Sequence, residues 1–347
     1  MDELERRFDE FARAFETGAP LYGRLAARVV REPRVLDLMS VAPPTQRIPV
    51  LLFAAAHHLL LAESDHPLAD HYPNLARGVG DGDVGDHFVD FVLNRADPMR
   101  ELLASRSTQT NEIRRCNWFL FPMSILNDEV GTLARVDVGS SAGLTMLAPH
   151  IGYDVRPGRI IGADSALIIT CDVRGKPPLP NRAPRVAWSV GIDPSPIDVH
   201  DDDAVRWLEA CVWPDQVERF TRLRSAVSLA RTHAIVVERG DAVDSVGDAV
   251  HRAGSHGHPV VTTSWVLNYL PPERRVAFVA ELERIGGTRD LSWVIAESPK
   301  ETPELPGHAG SDELITVISL VTWRSGQRSV RRLATTHPHG NWVNWGT

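Results

Sequence analysis

Two glycines and two serines lie close together at residues 137–143, where the sequence is DVGSSAG. They follow an apolar run at residues 133–138 that is typical of a β-strand, and a helix is expected to begin at Gly143. Glycines in a strand-to-helix turn let the backbone bend sharply and approach a ligand closely. The first N–H groups of a helix also favour an anionic group. This turn is therefore the first candidate for a ligand site.

The turn resembles the glycine motif of class I methyltransferases, D/E-x-G-x-G-x-G, which holds the amino-acid part of S-adenosylmethionine. Asp137, Gly139 and Gly143 match that motif, whereas Ser141 stands where the family has a glycine. The resemblance implies that these residues, together with Ser140, contact the cofactor. We expect Ser141 to be a tolerated variant that lines the methionine end of the site.

The same residues also match G-x-S-x-G, the nucleophile elbow of α/β-hydrolases, in which Ser141 would be the nucleophile. That fold places several strands before its elbow, yet the residues before the turn look helical. No His-Gly-Gly segment lies upstream, and no Asp–His pair stands out downstream, although 14 histidines leave this last point open. A serine hydrolase is therefore the main alternative to methyl transfer.

Acidic or polar side chains recur at the ends of the later predicted strands. The methyltransferase resemblance implies that Asp193 accepts hydrogen bonds from ribose hydroxyls and that Asp241 binds the adenine amino group. Ser264 follows the fourth strand of that fold, and Glu297 follows the fifth. Asp193 lies 56 residues after Asp137 (193 − 137), well beyond the ~20 residues of a simple strand–helix–strand unit, so we expect an insertion between them.

Methyl transfer from a sulfonium mainly requires alignment of the acceptor and exclusion of water. An oxygen acceptor also needs a general base. The candidates are, in order, His339, Glu297 and Tyr269, and each is chosen by its position at or beyond a late strand. Arg115 precedes the first strand, where it is expected either to bind the cofactor carboxylate or to cap a helix.

The elements that position these residues divide into two parts. Residues 1–130 carry apolar positions at helical spacing and predict a helical cap over the substrate. Residues 131–347 alternate strands with helices, which predicts a doubly wound parallel sheet, with an inserted β-hairpin at about 153–180. Two late strands predict an antiparallel hairpin at the end. We therefore expect an α/β fold with the Rossmann-like, seven-stranded sheet of the class I methyltransferases.

Several longer segments resemble an uncharacterised bacterial family that is classified as a domain of unknown function. They are TQTNE at 108–112, DVGSSAGL at 137–144, VGIDPSPID at 190–198, RWLEACVWPDQ at 206–216 and RFTRLR at 219–224. The resemblance covers nearly the whole chain. It implies the fold described above but no substrate.

The composition limits the partners that we expect. The 347 residues include 37 Lys and Arg against 45 Asp and Glu, and the formal charge of −8 opposes nucleic acid as a partner. Three cysteines without a C-x-x-C pair indicate a reducing cytoplasm. The most apolar helical segment, residues 50–62, is too short for a bilayer and contains two histidines. These features predict a cytoplasmic protein without a membrane partner.

Two clusters of metal-binding residue types are interpreted without a metal. His251, His256 and His258 are expected in a solvated loop, and the acidic run at 200–203 is expected to cap a helix. The function expected from the sequence is a methyltransferase that uses S-adenosylmethionine on a small-molecule acceptor, in an oligomeric state that the sequence does not indicate. A cofactor-binding protein that has lost the reaction is a further alternative.

Overall fold

The computed structural model of the chain describes four stretches, namely residues 3–63, 65–76, 80–308 and 314–346. Eleven α-helices and eleven strands lie within them. None of these helices is long and apolar enough to cross a membrane. The strands form one mixed sheet.

The bounds of the elements are as follows. The helices are α1 (Glu3–Ala14), α2 (Pro20–Val29), α3 (Pro33–Leu38), α4 (Pro49–Ala62), α5 (Val84–Leu93), α6 (Ala96–Ser105), α7 (Cys116–Val130), α8 (Asp202–Ala210), α9 (Val217–Ala230), α10 (Ala242–Ala253) and α11 (Pro272–Gly286). The strands are β1 (Leu133–Val138), β2 (Gly152–Arg156), β3 (Ile160–Ile161), β4 (Ile168–Arg174), β5 (Val186–Asp193), β6 (Val237–Arg239), β7 (His258–Ser264), β8 (Leu291–Glu297), β9 (Thr316–Arg324), β10 (Gln327–Thr336) and β11 (Trp342–Trp345).

The chain divides into two compact units. The first, which we call the helical unit, consists of residues 1–111 and 200–224. The second, the sheet unit, consists of residues 112–199 and 225–347. The sequence-based boundary near residue 130 therefore differs from this division, because α7 belongs to the sheet unit and α8 returns to the helical unit.

The helical unit is organised around α4, which is apolar apart from two buried histidines, His57 and His58. Proline occupies its first position, where no intrahelical N–H is needed. Nearly the whole helix is buried, and Phe53 contacts Phe8, Tyr22 and Phe88 with ring centroids 4.7–6.0 Å apart. A helix without a polar face is typical of the centre of a core rather than of its surface.

The sheet unit contains the whole sheet, in the order β3-β2-β4-β11-β10-β9-β8-β7-β1-β5-β6. The five strands β6, β5, β1, β7 and β8 are parallel, and every residue of β1 is buried. Parallel strands that are buried on both faces are mostly apolar, and β1 departs from this rule with two buried charged residues, Arg135 and Asp137. In chain order these strands follow the 3-2-1-4-5 arrangement of doubly wound folds.

The prediction of seven strands is wrong, because the sheet has eleven. The predicted antiparallel hairpin near the end is present as β9 and β10, with β9 antiparallel to β8. Beyond it, β11 pairs with β10 and then with β4 of the insertion. The strand β11 thus joins the strands of the insertion to the rest of the sheet. The predicted seven-stranded sheet does not include these strands.

The insertion is more than the predicted hairpin. Only β2 and β3 form an antiparallel pair, and β4 lies parallel to β2 on the other side. The expected helix at Gly143 is also absent: residues Leu144–Leu147 form a single 3₁₀ turn, after which the chain enters β2. His251 and His258 lie in α10 and β7 instead of in a loop, whereas Asp201 does cap α8.

Candidate functional site

The strand β1 marks the point where the order of the parallel strands reverses. The chain passes from β1 to β5 and β6 on one side, and then returns to β7 and β8 on the other. The carboxyl ends of these five strands therefore lie along one edge of the sheet. Doubly wound proteins bind ligands at such a topological switch point, in the crevice beyond the strand ends. The residues after β1 and β7 accordingly lie at the expected position of a ligand site.

Both of these strand ends contain unusual backbone angles. In the turn after β1, φ is +72° at Gly139, +52° at Ser141 and +70° at Gly143. In the loop after β7, Trp265 has a φ of +52°. A left-handed conformation costs a residue with a side chain roughly 1–2 kcal/mol. Two such residues, Ser141 and Trp265, thus lie in the two loops that flank the switch point, as strained residues at functional sites often do.

The two matching glycines of the turn are required for packing against the protein itself. A Cβ at Gly139 would lie 2.2 Å from Cγ2 of Val266, and one at Gly143 would lie 2.4 Å from Cγ2 of Ile235. The loop after β7 therefore lies directly against the turn after β1. In this conformation the space beside Gly139 is filled by Val266.

The N–H groups of the turn are directed towards neighbouring protein atoms. Those of Gly139 and Ser140 both reach the carbonyl oxygen of Ile192, at 2.8 and 3.3 Å. Ser141 donates its N–H to Asp193 Oδ2 at 2.8 Å. Because a short 3₁₀ turn follows instead of an α-helix, the expected anion site at a helix N-terminus is not formed here.

Asp137 has a different role from the expected contact with the cofactor. It is buried, and its carboxylate accepts four hydrogen bonds of 2.5–2.9 Å from side chains of the sheet unit. The donors are Arg135, Ser140, Thr145 and Thr262. These contacts link β1, β7 and the glycine turn. The residue thus holds together the base of the switch point.

A buried cation that was not predicted from the sequence accompanies Asp137. Arg135 is 1% exposed, lies on β1 and forms an ion pair of 2.7 Å with that carboxylate. Its guanidinium also lies 4.4 Å from the ring centroid of Phe119 in α7. A signal was present, because an arginine and an aspartate two positions apart in an apolar strand point to the same face. Removal of one partner from a buried pair costs about 3–5 kcal/mol.

Asp193 ends β5, as predicted, and is 9% exposed. Its Oδ1 accepts the N–H of Ser195 and its Oδ2 accepts that of Ser141, both at 2.8 Å. Each carboxylate oxygen has two acceptor positions, so one position on each oxygen remains available. This carboxylate both shapes the turn and keeps capacity for a ligand.

Asp241 lies after β6 and caps α10, where its carboxylate accepts the N–H groups of Val243 and Asp244. It also forms an ion pair with Arg274. Burial alone would raise the pKa of Asp241, but the two backbone donors and Arg274 lower it below its ordinary value. The predicted adenine-binding residue therefore remains ionised and has structural partners of its own.

The end of β8 contributes a fully buried carboxyl group, Glu297. It accepts the N–H of Val266 at 3.1 and 3.2 Å, so it holds the loop after β7. Burial raises the pKa of Glu297 to about 8, although backbone donors and Arg115 act in the opposite direction. A group so enclosed positions the loop and is poorly placed to meet a substrate as a base.

Arg115 is buried beside the same loop. Its guanidinium donates to the carbonyl oxygen of Ser264 at 3.4 Å and lies 5.2 Å from the ring centroid of Trp118. It thus reaches the carboxyl end of β7, together with Ser264 and near Glu297. The structure brings together these three predicted residues, which come from widely separated parts of the sequence.

The other two candidate bases, Tyr269 and His339, lie at different distances from the switch point. Tyr269 ends a 3₁₀ turn after β7 and is 73% exposed. His339 lies between β10 and β11, and its N–H donates to Nδ1 of His337. Four strand spacings separate β10 from β1, roughly 19 Å along the sheet. Tyr269 is therefore nearer to the switch point than His339, which reverses the order that the sequence suggested.

Two shielded polar atoms at this edge were not anticipated. Oδ1 of Asn268, in the loop after β7, and Oγ of Ser298, directly after β8, have no hydrogen-bond partner among the described residues. Ser298 is 1% exposed. Buried polar atoms nearly always have a partner, so these two atoms at the ends of adjacent strands are candidates to bond to a polar ligand.

The chain belongs to a bacterial family, described as an uncharacterized protein conserved in bacteria (DUF2332), whose family model matches residues 5–345. The expected relationship to an uncharacterised bacterial family is thereby confirmed. A search of curated proteins gives no match.

Proposed function

We propose that this member of the family binds S-adenosylmethionine at the carboxyl edge of the parallel strands and transfers its methyl group to a small molecule. One observation supports this proposal above the others. Two residues with strained backbone, Ser141 and Trp265, flank the switch point between β1 and β7, and a third, Ser325, lies in the turn between β9 and β10. Strain of this kind persists where the surroundings enforce it, which is common at ligand sites.

The polar groups at this edge fit such a cofactor in kind. Asp193 keeps one acceptor position on each oxygen, as required for two ribose hydroxyls. Asn268 Oδ1 and Ser298 Oγ provide an acceptor and a hydroxyl that lack partners in the described part of the chain. We assign Asp193 to the ribose and the loops after β7 and β8 to the amino-acid part.

The proposal requires one local movement. Val266 occupies the space beside Gly139, so the loop after β7 must withdraw from the turn before a ligand can lie across it. Glu297 and Trp265 hold that loop, the latter through Nε1, which donates to Thr316 Oγ1 at 2.6 Å. The cofactor site is therefore one that opens when the loop moves.

The chemistry divides between cofactor and protein. S-adenosylmethionine supplies an activated methyl group, so the chain's residues must orient the acceptor and exclude water. An acceptor hydroxyl needs a base, and Tyr269 and His339 remain the candidates, whereas Glu297 holds the loop. A nitrogen acceptor needs a base less. Methylation of a hydroxyl would therefore use Tyr269 or His339 as the base.

The hydrolase alternative keeps one observation in its favour, the φ of +52° at Ser141, because a nucleophile elbow is strained. A catalytic triad also requires a carboxylate that orients a histidine. The four strand-end carboxylates bond instead to backbone N–H groups, hydroxyls or arginines, and none bonds to a histidine within the described stretches: Asp137, Asp193, Asp241 and Glu297. This arrangement favours the cofactor site.

Replacement of Asp193 tests the assignment. In Asp193→Asn the charge that would accept the ribose hydroxyls is lost, and each hydrogen bond to a charged group contributes about 1.5–3 kcal/mol. We expect affinity for S-adenosylhomocysteine, measured by calorimetry, to fall at least about tenfold. Asp172→Asn, an exposed site on β4, is the matched control and should bind as the native chain does. Equal affinities of the native chain and Asp193→Asn would refute the ribose assignment.

The hydrolase alternative is distinguished with Ser141→Ala. This change should leave cofactor affinity within a few-fold, because the proposed contacts come from Asp193 and from the loops after β7 and β8, and the backbone N–H of residue 141 can still bond to Asp193. If the native chain hydrolyses an activated ester and Ser141→Ala abolishes that activity, the hydrolase assignment replaces ours. A chain that binds the cofactor but methylates no acceptor would be the non-catalytic binding protein.

A further inference from the structure

A cavity of about 300 Å³ opens in the helical unit, at residues that the proposed function does not use. Arg24, Arg28 and Arg31 line it. The first two belong to α2, and the third follows in the turn that continues it, with its N–H bonded to the carbonyl of Arg28. Spacings of four and three residues place all three on one face. The volume lies at the lower end of small-molecule sites.

The arginines of this cavity are unequally paired. Three arginines line it, together with a single carboxylate residue, Asp83. Asp83 accepts the N–H of Asp86 at the start of α5, at 3.0 Å. Arg28 has two ion-pair partners outside the lining, Asp86 at 3.0 Å and Glu32 at 3.8 Å. Two guanidinium groups are thus left without an ion-pair partner within the part of the chain that the structure describes.

These are the guanidinium groups of Arg24 and Arg31. Neither side chain makes an ion pair or a hydrogen bond with any residue in the stretches that the structure describes. Arg24 acts on Asp215 only at longer range: burial raises the pKa of that carboxyl group, and Arg24 partly opposes the rise. Two arginines in one cavity repel each other unless an anion lies between them.

The opposite wall of the cavity is backbone that is held in place. A Cβ at Gly85 would lie 2.7 Å from Cγ of Arg28, so the absence of a side chain lets the arginine lie against the start of α5. Nε2 of His71 and Nε2 of His87 both bond to the carbonyl oxygen of Asp81, at 3.1 and 2.8 Å. The loop that faces the arginines is therefore fixed before any ligand arrives, which lowers the cost of binding.

We propose that this cavity binds a small phosphate-bearing anion through Arg24 and Arg31. A guanidinium group presents N–H donors in a fork that matches two phosphate oxygens. The neighbouring Arg28, neutralised in part by its own partners, completes the wall. The cavity lies in the helical unit and the sheet edge in the sheet unit. The test of phosphate binding is therefore independent of the cofactor assignment.

Calorimetry on the full chain at low ionic strength tests the proposal, with inorganic phosphate and ribose 5-phosphate as probes. The native chain should bind one equivalent. Arg24→Gln/Arg31→Gln should bind at least about tenfold more weakly, because charge-assisted hydrogen bonds are lost. Circular dichroism verifies that this exposed double variant is folded. Tighter binding of the ester assigns a phosphomonoester, and equal binding assigns free phosphate.

The matched control is Arg6→Gln/Arg100→Gln, which removes the same charge elsewhere in the helical unit. Arg6 and Arg100 are largely exposed and pair with Glu10 and Asp97 on their own helices. The control should bind phosphate within about twofold of the native chain. Failure of the native chain to bind either probe would overturn the proposal, as would equal weakening by the control, which would show only general attraction of anions.

Discussion

At the scale of single residues, the strand-end acids of this protein are used in two ways. Asp137 accepts hydrogen bonds from four side-chain donors, one of which is its ion-pair partner Arg135, so it stabilises the sheet. Asp193 accepts two backbone N–H groups and keeps further capacity. Both positions can be predicted from the sequence as acids at strand ends. Their roles cannot, because they depend on Thr145 and Thr262, which only the fold brings to Asp137.

Ser141 permits a direct test of the strained turn. Its φ of +52° costs roughly 1–2 kcal/mol, whereas glycine adopts it freely but loses about 0.5–1 kcal/mol through the unfolded state. We expect Ser141→Gly to be stabilising by up to about 1 kcal/mol in thermal unfolding and to retain cofactor affinity. Ser325→Gly, at a φ of +50° in the turn between β9 and β10, should give a similar gain. Loss of affinity in Ser141→Gly alone would show that the hydroxyl is required.

The raised pKa of Glu297 leads us to expect that the stability of the fold depends on pH. Its pKa is about 8 in the folded chain because of burial, against an ordinary value of 4.5. The folded state therefore holds this proton more tightly than the unfolded state does. The resulting stability is fully present below about pH 4.5 and is lost as the pH rises to about 8.

Glu297→Gln should remove that dependence. The melting temperature of the native chain should fall, relative to the variant, between pH 5 and 8. Glu273→Gln, at an exposed position in the first turn of α11, is the control and should follow the native curve. Parallel curves for the native chain and Glu297→Gln would contradict the assignment of a buried, protonated carboxyl group.

At the scale of elements, the β7 loop and the β1 turn act as one packed unit. Gly139→Ala places a Cβ 2.2 Å from Val266 and imposes a φ of +72° on alanine. Backbone strain of ~1–2 kcal/mol and overpacking of ~1–3 kcal/mol together predict a loss of roughly 2–5 kcal/mol in the free energy of unfolding. Chemical denaturation measures it.

Gly131→Ala separates the two causes. Gly131 has a φ of +81°, but a Cβ there meets nothing within 4 Å. Only the strain remains, so we expect a loss of about 1–3 kcal/mol, since the ψ of −133° at Gly131 is one that residues with a side chain rarely adopt. If both alanine variants lose the same amount, Val266 does not fill the space beside Gly139, and the cofactor crevice is open without loop movement.

The sequence predicts the elements of the parallel half well, because β1, β5 and β8 are largely apolar segments that end at or next to a glycine or an acid. It predicts the insertion poorly. A hairpin at about 153–180 follows from two β-rich runs, but the pairing of β4 with β11 joins residues near 173 and 343. Such long-range pairing depends on which sheet edge is free, and no local pattern encodes that. The helix predicted after Gly143 is absent for the same reason, because after one 3₁₀ turn the chain enters β2 and joins the sheet.

At the scale of the whole molecule, the helical unit is completed by a segment from the middle of the chain. Trp207 of α8 is 1% exposed in its core and donates Nε1 to the carbonyl of Ser107 at 2.9 Å. Composition and helical periodicity predict a helical part at residues 1–130, but they do not predict that α8 belongs to its core. A helix that follows strand β5 in the chain would ordinarily be assigned to the sheet.

Trp207→Ala tests whether the return segment is structural. A buried tryptophan replaced by alanine costs about 3–5 kcal/mol, so the variant should unfold at a markedly lower denaturant concentration. Trp188→Ala, at a half-buried position on β5, should cost less. Unchanged stability of Trp207→Ala would mean that α8 is not part of the helical core.

The central claim is that the carboxyl edge of the parallel strands holds S-adenosylmethionine. Isothermal calorimetry of the native chain with S-adenosylmethionine and with S-adenosylhomocysteine tests it most directly, with adenosine as a reference for the nucleoside part alone. We predict one site per chain, occupied by both compounds and more weakly by adenosine. Absence of binding by both compounds, with protein shown to be folded, would contradict the account.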